Sequence, residues 1–308
     1  MIAILLKTLP FFALIGLGYA AGRTRLFPAE ATGWLTKFVF YFALSAMLFR
    51  FAAGLSLPQI FDAAFVAAYL SASLLLYALV MAVALLRRRP LAEAAIEAQC
   101  AQSGNTGFLG VPMLVVLLGP AAAGPVLMVL TVDMVVFSSL ITLIVTAARG
   151  GRIGWHSAGA LAQGWLANPM VVSIVAGLIW SALALPLPGP LDEFLKLLGG
   201  AATPGALFAI GASLAARGAA RLGDAVWLSF AKLVLHPALV AIAALWLFPV
   251  DRQAAGVMIA AASLPVAGNV YILAQHYGVA PQRVSTAILI STAASILTVT
   301  AVIAWITG

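Results

Sequence analysis

Apolar runs long enough to cross a bilayer recur along this chain, and the short connectors after every second run are basic. A helix needs about 20 apolar residues to cross the hydrocarbon core. Ten runs meet that length, at approximately 2–22, 33–54, 63–86, 91–119, 124–148, 166–185, 191–216, 224–248, 253–276 and 282–306. The connectors after the odd runs carry Arg23 and Arg25, Arg87 to Arg89, Arg149 and Arg152, Arg217 and Arg221, and Arg283. Those after the even runs carry only Arg252, beside Asp251. Ten basic residues against one place the odd connectors in the cytoplasm and both termini on the extracytoplasmic side of the inner (plasma) membrane. The expected fold is an all-α polytopic membrane protein of ten transmembrane helices.

Composition narrows the function classes. Hydrophobic residues make up 64% of the 308, charged residues 8%, and the mean hydropathy is +1.12. No soluble domain could hide that much apolar surface. The net charge of +7 sits in short loops where the positive-inside rule explains it, so no nucleic-acid partner is implied. Cys100 is the single cysteine, which excludes an intramolecular disulfide. His156, His236 and His276 are scattered and form no ligand motif, so no metal site, cofactor or catalytic residue is expected, and the chain does not read as an enzyme. The first run has no small-residue cleavage site and reads as a retained helix.

A short phrase occurs once in each half of the chain. Gln102-Ser103-Gly104-Asn105-Thr106-Gly107-Phe108-Leu109-Gly110 is answered by Val266-Ala267-Gly268-Asn269-Val270-Tyr271-Ile272-Leu273-Ala274. Other matches follow in order. Pro10 and Gly18 match Pro169 and Gly177, while Ala43, Leu48 and Phe49 match Ala202, Leu207 and Phe208 at the same offset. Ser139 and Thr142 match Ser295 and Thr298 at a slightly smaller one. These define a first five-helix repeat (1–148), a cytoplasmic connector (149–165) and a second five-helix repeat (166–308). Five spans is an odd number, so the second copy is expected to be inverted in the membrane.

The repeated phrase interrupts spans four and nine with glycine and asparagine. Broken backbone in a bilayer must be buried in protein or line a cavity, and paired breaks in two halves point to a transporter's substrate site. Each break starts a second half-helix, whose N-terminal end carries about half a positive charge and favours an anion. Asn105 and Asn269 are expected to cap these ends with their oxygens and donate their NH₂ groups to a carboxylate. Gly104 and Gly268 allow close backbone approach. Pro112 and Pro265 remove backbone donors and are expected to hold the breaks open. Gln102, Thr106 and Tyr271 flank the asparagines and complete the candidate lining. The plainer alternative is that the asparagines bond to neighbouring helices.

Here the chain resembles the auxin efflux carrier family, which includes plant PIN proteins and bacterial malate and malonate permeases. The resemblance rests on the inverted five-plus-five pattern, Asn105-x6-Pro112 in span four and Pro265-x3-Asn269 in span nine. Asn168-Pro169 opening span six and Pro204-Gly205-Ala206-Leu207-Phe208-x2-Gly211 in span seven also resemble it. It implies a crossover of broken helices four and nine like that of NhaA and the bile-acid symporters. It further implies a transport domain moving against a scaffold of spans one, two, six and seven, a homodimer, and a small organic anion substrate. The long cytoplasmic loop of plant PINs is missing, which implies a compact bacterial type.

Charges inside spans are costly enough to need a reason. Asp133 in span five is the candidate for cation or proton coupling, with a structural partnership as its alternative. Lys232 and His236 lie one turn apart in span eight and are grouped with it. Glu93 and Glu97 read as an interfacial salt-bridge cluster with Arg87, Arg88 and Arg89, and Arg50 as a residue that snorkels or attracts anions. The coupling ion is left as H⁺ or Na⁺, and Ser103, Thr106 and Ser263 could contribute to a sodium site. The competing readings are a sodium-coupled symporter of the bile-acid type, a cation/proton antiporter on the same fold, and a membrane receptor that does not transport.

Overall fold

A computed structural model describes residues 2–55, 62–149, 155–215 and 222–308. Arg152, Arg217 and Arg221, counted above as cytoplasmic charges, lie outside the described residues, as does the side chain of His156. Among the described residues, seven helices are long and apolar enough to cross a membrane. They are α1 (Ile2–Arg23), α2 (Ala29–Ala53), α3 (Ala63–Leu86), α5 (Pro120–Ala148), α7 (Gly189–Ala215), α8 (Leu222–Leu247) and α10 (Pro281–Thr307). The segments expected as spans four, six and nine are shorter. They fold as α4a (Leu91–Gln102) with α4b (Thr106–Leu118), α6 (Pro169–Ala182), and α9a (Arg252–Ala262) with α9b (Gly268–His276). Trp155–Leu166, reaching one residue past the expected connector, is also helical, and ends just before Asn168-Pro169 starts α6. The described residues contain no β-strand, only an isolated bridge between Gly104 and Val266.

Small residues set how closely the helices approach. A Cβ on Gly18 would lie 2.1 Å from the carbonyl oxygen of Phe208, and one on Gly211 would lie 1.9 Å from that of Ile15, so α1 and α7 touch backbone to backbone. A Cβ on Gly177 would lie 2.6 Å from the carbonyl oxygen of Phe49, which joins α6 to α2 in the same way. With no hydrophobic drive between helices in lipid, such close packing is what holds them together. Gly18 with Phe208 and Gly177 with Phe49 are reciprocal: each glycine of a matched pair contacts the phenylalanine of the other half.

The breaks in helices four and nine lie against each other. Ser103-Gly104-Asn105 pairs antiparallel with Pro265-Val266-Ala267. The Asn105 N–H donates to the Pro265 carbonyl at 2.8 Å, and the Ala267 N–H donates to the Ser103 carbonyl at 3.0 Å. The Val266 N–H donates to Ser291 Oγ of α10 at 3.1 Å. The N–H groups of Asn105, Val266 and Ala267 are thus all hydrogen-bonded to protein, as burial of unwound backbone requires. Pro265 sits in this crossing as expected. Pro112 does not hold a break open: it lies inside α4b, just after the π-helical turn Thr106–Gly110. Its missing N–H removes one ordinary helical bond, and the preceding turn widens to accommodate the loss.

Candidate functional site

The crossing forms one wall of a cavity of about 90 Å³. Three asparagines reach it, Asn105, Asn168 and Asn269, along with Asp133, Ser103 and the backbone of Gly104, Gly107 and Gly268. Phe40, Phe108 and Met170 supply the apolar side, and the Phe40 and Phe108 rings stack with centroids 6.1 Å apart. Both half-helices present their N-terminal ends here: α4b begins at Thr106 and α9b at Gly268. The first N–H groups of a helix have no partner within it, so two partial positive charges converge on one space.

The asparagines differ from expectation in one respect. Asn105 makes no capping bond with its side chain. Asn269 lies within α9b, one residue past its start, and Ala267 stands at the cap position without a side-chain bond. Among the described residues neither amide of Asn105 or Asn269 bonds to protein, so both face the cavity with donors and acceptors unused. Asn168 does cap: its Oδ1 accepts from the Met170 N–H at 3.0 Å, leaving its NH₂ near Met134 Sδ at 4.0 Å. The sequence offered Asn168-Pro169 only as a helix start, and its place in the cavity depends on α6 packing against α2, whose Phe40 also lines it.

None of the flanking residues Gln102, Thr106 and Tyr271 lines the cavity. Gln102 is fully buried behind it, and its Nε2 donates to Asp133 Oδ1 at 2.6 Å. Thr106 is buried, with its hydroxyl 3.5 Å from the Gly104 carbonyl. Tyr271 points along α9b, where its hydroxyl accepts from Gln275 Nε2 at 2.9 Å.

Asp133 is buried, and Tyr69 donates to the same Oδ1 at 2.8 Å while Oδ2 has no hydrogen-bond partner. Lys232 and His236 meet as their spacing suggests. Lys232 Nζ lies 2.8 Å from His236 Nδ1 and donates to the Ala262 carbonyl at 2.6 Å, and His236 Nε2 lies 2.9 Å from Ser73 Oγ. No ion pair joins Asp133 to Lys232 among the described residues. They interact through space, and Tyr69 and Ser73, one turn apart on α3, carry the two hydrogen-bonded groups.

The other charges are structural. Arg50 pairs bidentately with Asp192, at 2.6 Å and 3.3 Å, so its guanidinium is engaged by a carboxylate of α7. Glu93 and Glu97 do form a salt-bridge cluster, but their arginine is Arg283 of α10 and not the Arg87–Arg89 run. Arg283 lies 3.1 Å from Glu93 and 3.2 Å from Asp224, and also bonds Glu97. Arg89 joins through Asp224 at 2.9 Å. Proximity in sequence favoured the neighbouring arginines; the fold brings α10 closer.

Comparison with known proteins gives the family. The family model for "Membrane transport protein" matches residues 3–303. A protein of Rhizobium meliloti (strain 1021) named "Putative malonate transporter" is 34% identical over 298 residues, covering 95% of this chain and 92% of that one. Family and relative alike indicate a transporter and not an enzyme, embedded in the membrane by several apolar helices. The chain belongs to the membrane transport protein family, the auxin efflux carrier family that its motifs resemble.

Proposed function

We propose that the chain is a secondary active transporter of small organic anions, of the malonate and malate class, and that the crossing is its binding site. The observation that carries this is the pair of unpartnered amides, Asn105 and Asn269, at two facing half-helix N-termini around one cavity. Amide NH₂ groups and free backbone N–H groups bind a carboxylate without a buried cation in direct contact. The name of the Rhizobium meliloti relative supports malonate as the first substrate to test. Asp133, with one oxygen unpaired at the cavity wall, is the coupling carboxylate in this reading.

The architecture follows from the same reading: ten spans, arranged as inverted five-helix repeats with α4 and α9 as the crossover. The reciprocal contacts of Gly18 with Phe208 and Gly177 with Phe49 support it, since a pseudo-twofold axis relates such pairs. Spans one, two, six and seven form the scaffold and the homodimer face. The other six carry the crossing across the inner membrane as one body, past the Phe40, Asn168 and Met170 wall that the scaffold supplies, with both termini outside. Uptake of labelled malonate into proteoliposomes tests the reading, with Asn105→Ala/Asn269→Ala as the matched protein. Wild-type uptake that the folded double variant loses is the expected result; equal uptake by both would remove the asparagines from the mechanism.

A further inference from the structure

We propose that Asn168 selects dicarboxylates over monocarboxylates. Its amide NH₂ group binds the second carboxylate of a short diacid whose first carboxylate is held by Asn105 and Asn269. This rests on the crossing as the anion site and adds the chemical class that the site prefers. Apart from the crossing, α4b, α9b and α5, the cavity is lined by Phe40 of α2 and by Asn168 and Met170 at the start of α6. Asn168 is the one polar side chain of those three.

The Asn168 amide is held one way round. Its Oδ1 accepts from the Met170 N–H at 3.0 Å, and a backbone N–H can only donate, so the oxygen stays at the helix start and the nitrogen faces away from it. The acceptor that nitrogen meets is Met134 Sδ at 4.0 Å, a thioether and therefore a weak one. Two N–H donors fixed beside a cavity without a strong acceptor suit a group that only accepts. A carboxylate is such a group, and its charge makes the bond about twice as strong as one to a neutral oxygen. The N-terminal end of α6 adds the positive end of a helix dipole. The other polar side chains outside the asparagines offer a second carboxylate nothing. Asp133 repels it, and the Ser103 hydroxyl is engaged, donating to Gln102 Oε1 at 2.9 Å and accepting from Gln99 Nε2 at 2.7 Å. The cavity, about 90 Å³, leaves room for only a short spacer between the two carboxylates.

Equilibrium binding of malonate and propionate to purified protein tests this, since the two share a three-carbon chain and differ in the second carboxylate. Asn168→Ser and Asn168→Asp both keep an oxygen for the Met170 N–H and lose the NH₂ group, so the helix start is retained, and similar melting temperatures check that. Wild type is expected to bind malonate at least about tenfold more tightly than propionate, the size of one charge-assisted hydrogen bond. Asn168→Ser is expected to lose that preference while binding propionate as wild type does. Asn168→Asp is expected to bind malonate more weakly still, because a carboxylate then faces a carboxylate. A role in capping alone would leave the ratio of the two affinities unchanged in both variants. An Asn168→Ser protein that keeps the preference, or a wild type without one, would overturn the proposal and leave the crossing as an anion site. Binding of neither acid by wild type would overturn the anion site itself, and this proposal with it.

Discussion

A methyl group on Gly211 would lie 1.9 Å from the carbonyl oxygen of Ile15, where no rotamer change relieves the clash because the obstacle is backbone. Gly211→Ala is therefore expected to destabilise the protein by about 1–3 kcal/mol or more, read as a lower melting temperature in detergent. Gly16, one residue along from Ile15, has nothing within 4 Å of its would-be Cβ, so Gly16→Ala is expected to be neutral or slightly stabilising. Similar losses in both variants would mean that α1 and α7 are not in close contact. Single residues were also where the sequence was most and least readable. Gly104, Asn105 and Asn269 stood out because glycine and asparagine break an apolar run twice. Asn168 did not reveal its cavity position, because that depends on which helices pack beside α6. Tyr271 looked like a lining residue by its closeness to Asn269, yet the helical turn carries its hydroxyl to Gln275.

At the scale of elements, the cluster of Arg283 with Glu93, Glu97 and Asp224 ties α10 to α4a and α8. Arg283 and Glu97 are almost fully buried, so removing the arginine strands the Glu97 carboxylate out of reach of water. Arg283→Met is expected to cost about 3–5 kcal/mol, and Arg283→Met/Glu97→Leu less than the sum of the two single changes. Thermal unfolding of the three variants measures this, and strict additivity would mean that the pair is uncoupled. The sequence marked Glu93 and Glu97 as paired because acidic groups one turn apart in an apolar helix need cations. It gave no register between α4a and α10, so the choice of arginine was hidden. The breaks in helices four and nine were legible for a related reason: glycine and proline act locally. The antiparallel pairing of Ser103-Gly104-Asn105 with Pro265-Val266-Ala267 is a long-range contact that only the packed bundle fixes.

The whole molecule is proposed to work as two bodies, and one contact between them is suited to a lock. Thr8 Oγ1 of α1 and Thr300 Oγ1 of α10 lie 3.0 Å apart in a buried position away from the cavity. A disulfide in Thr8→Cys/Thr300→Cys requires only a small shift from this spacing and would join scaffold to transport domain. Oxidation is expected to stop uptake and reduction to restore it; undiminished uptake by the oxidised protein would rule out motion between these helices. The central claim, that the crossing is an anion site, is tested most directly by equilibrium binding of labelled malonate to purified protein. Saturable binding to wild type that falls at least about tenfold in a folded Asn105→Ala/Asn269→Ala protein is the predicted result, since two charge-assisted amide bonds are lost. Binding of malonate with unchanged affinity by the double variant would contradict the account.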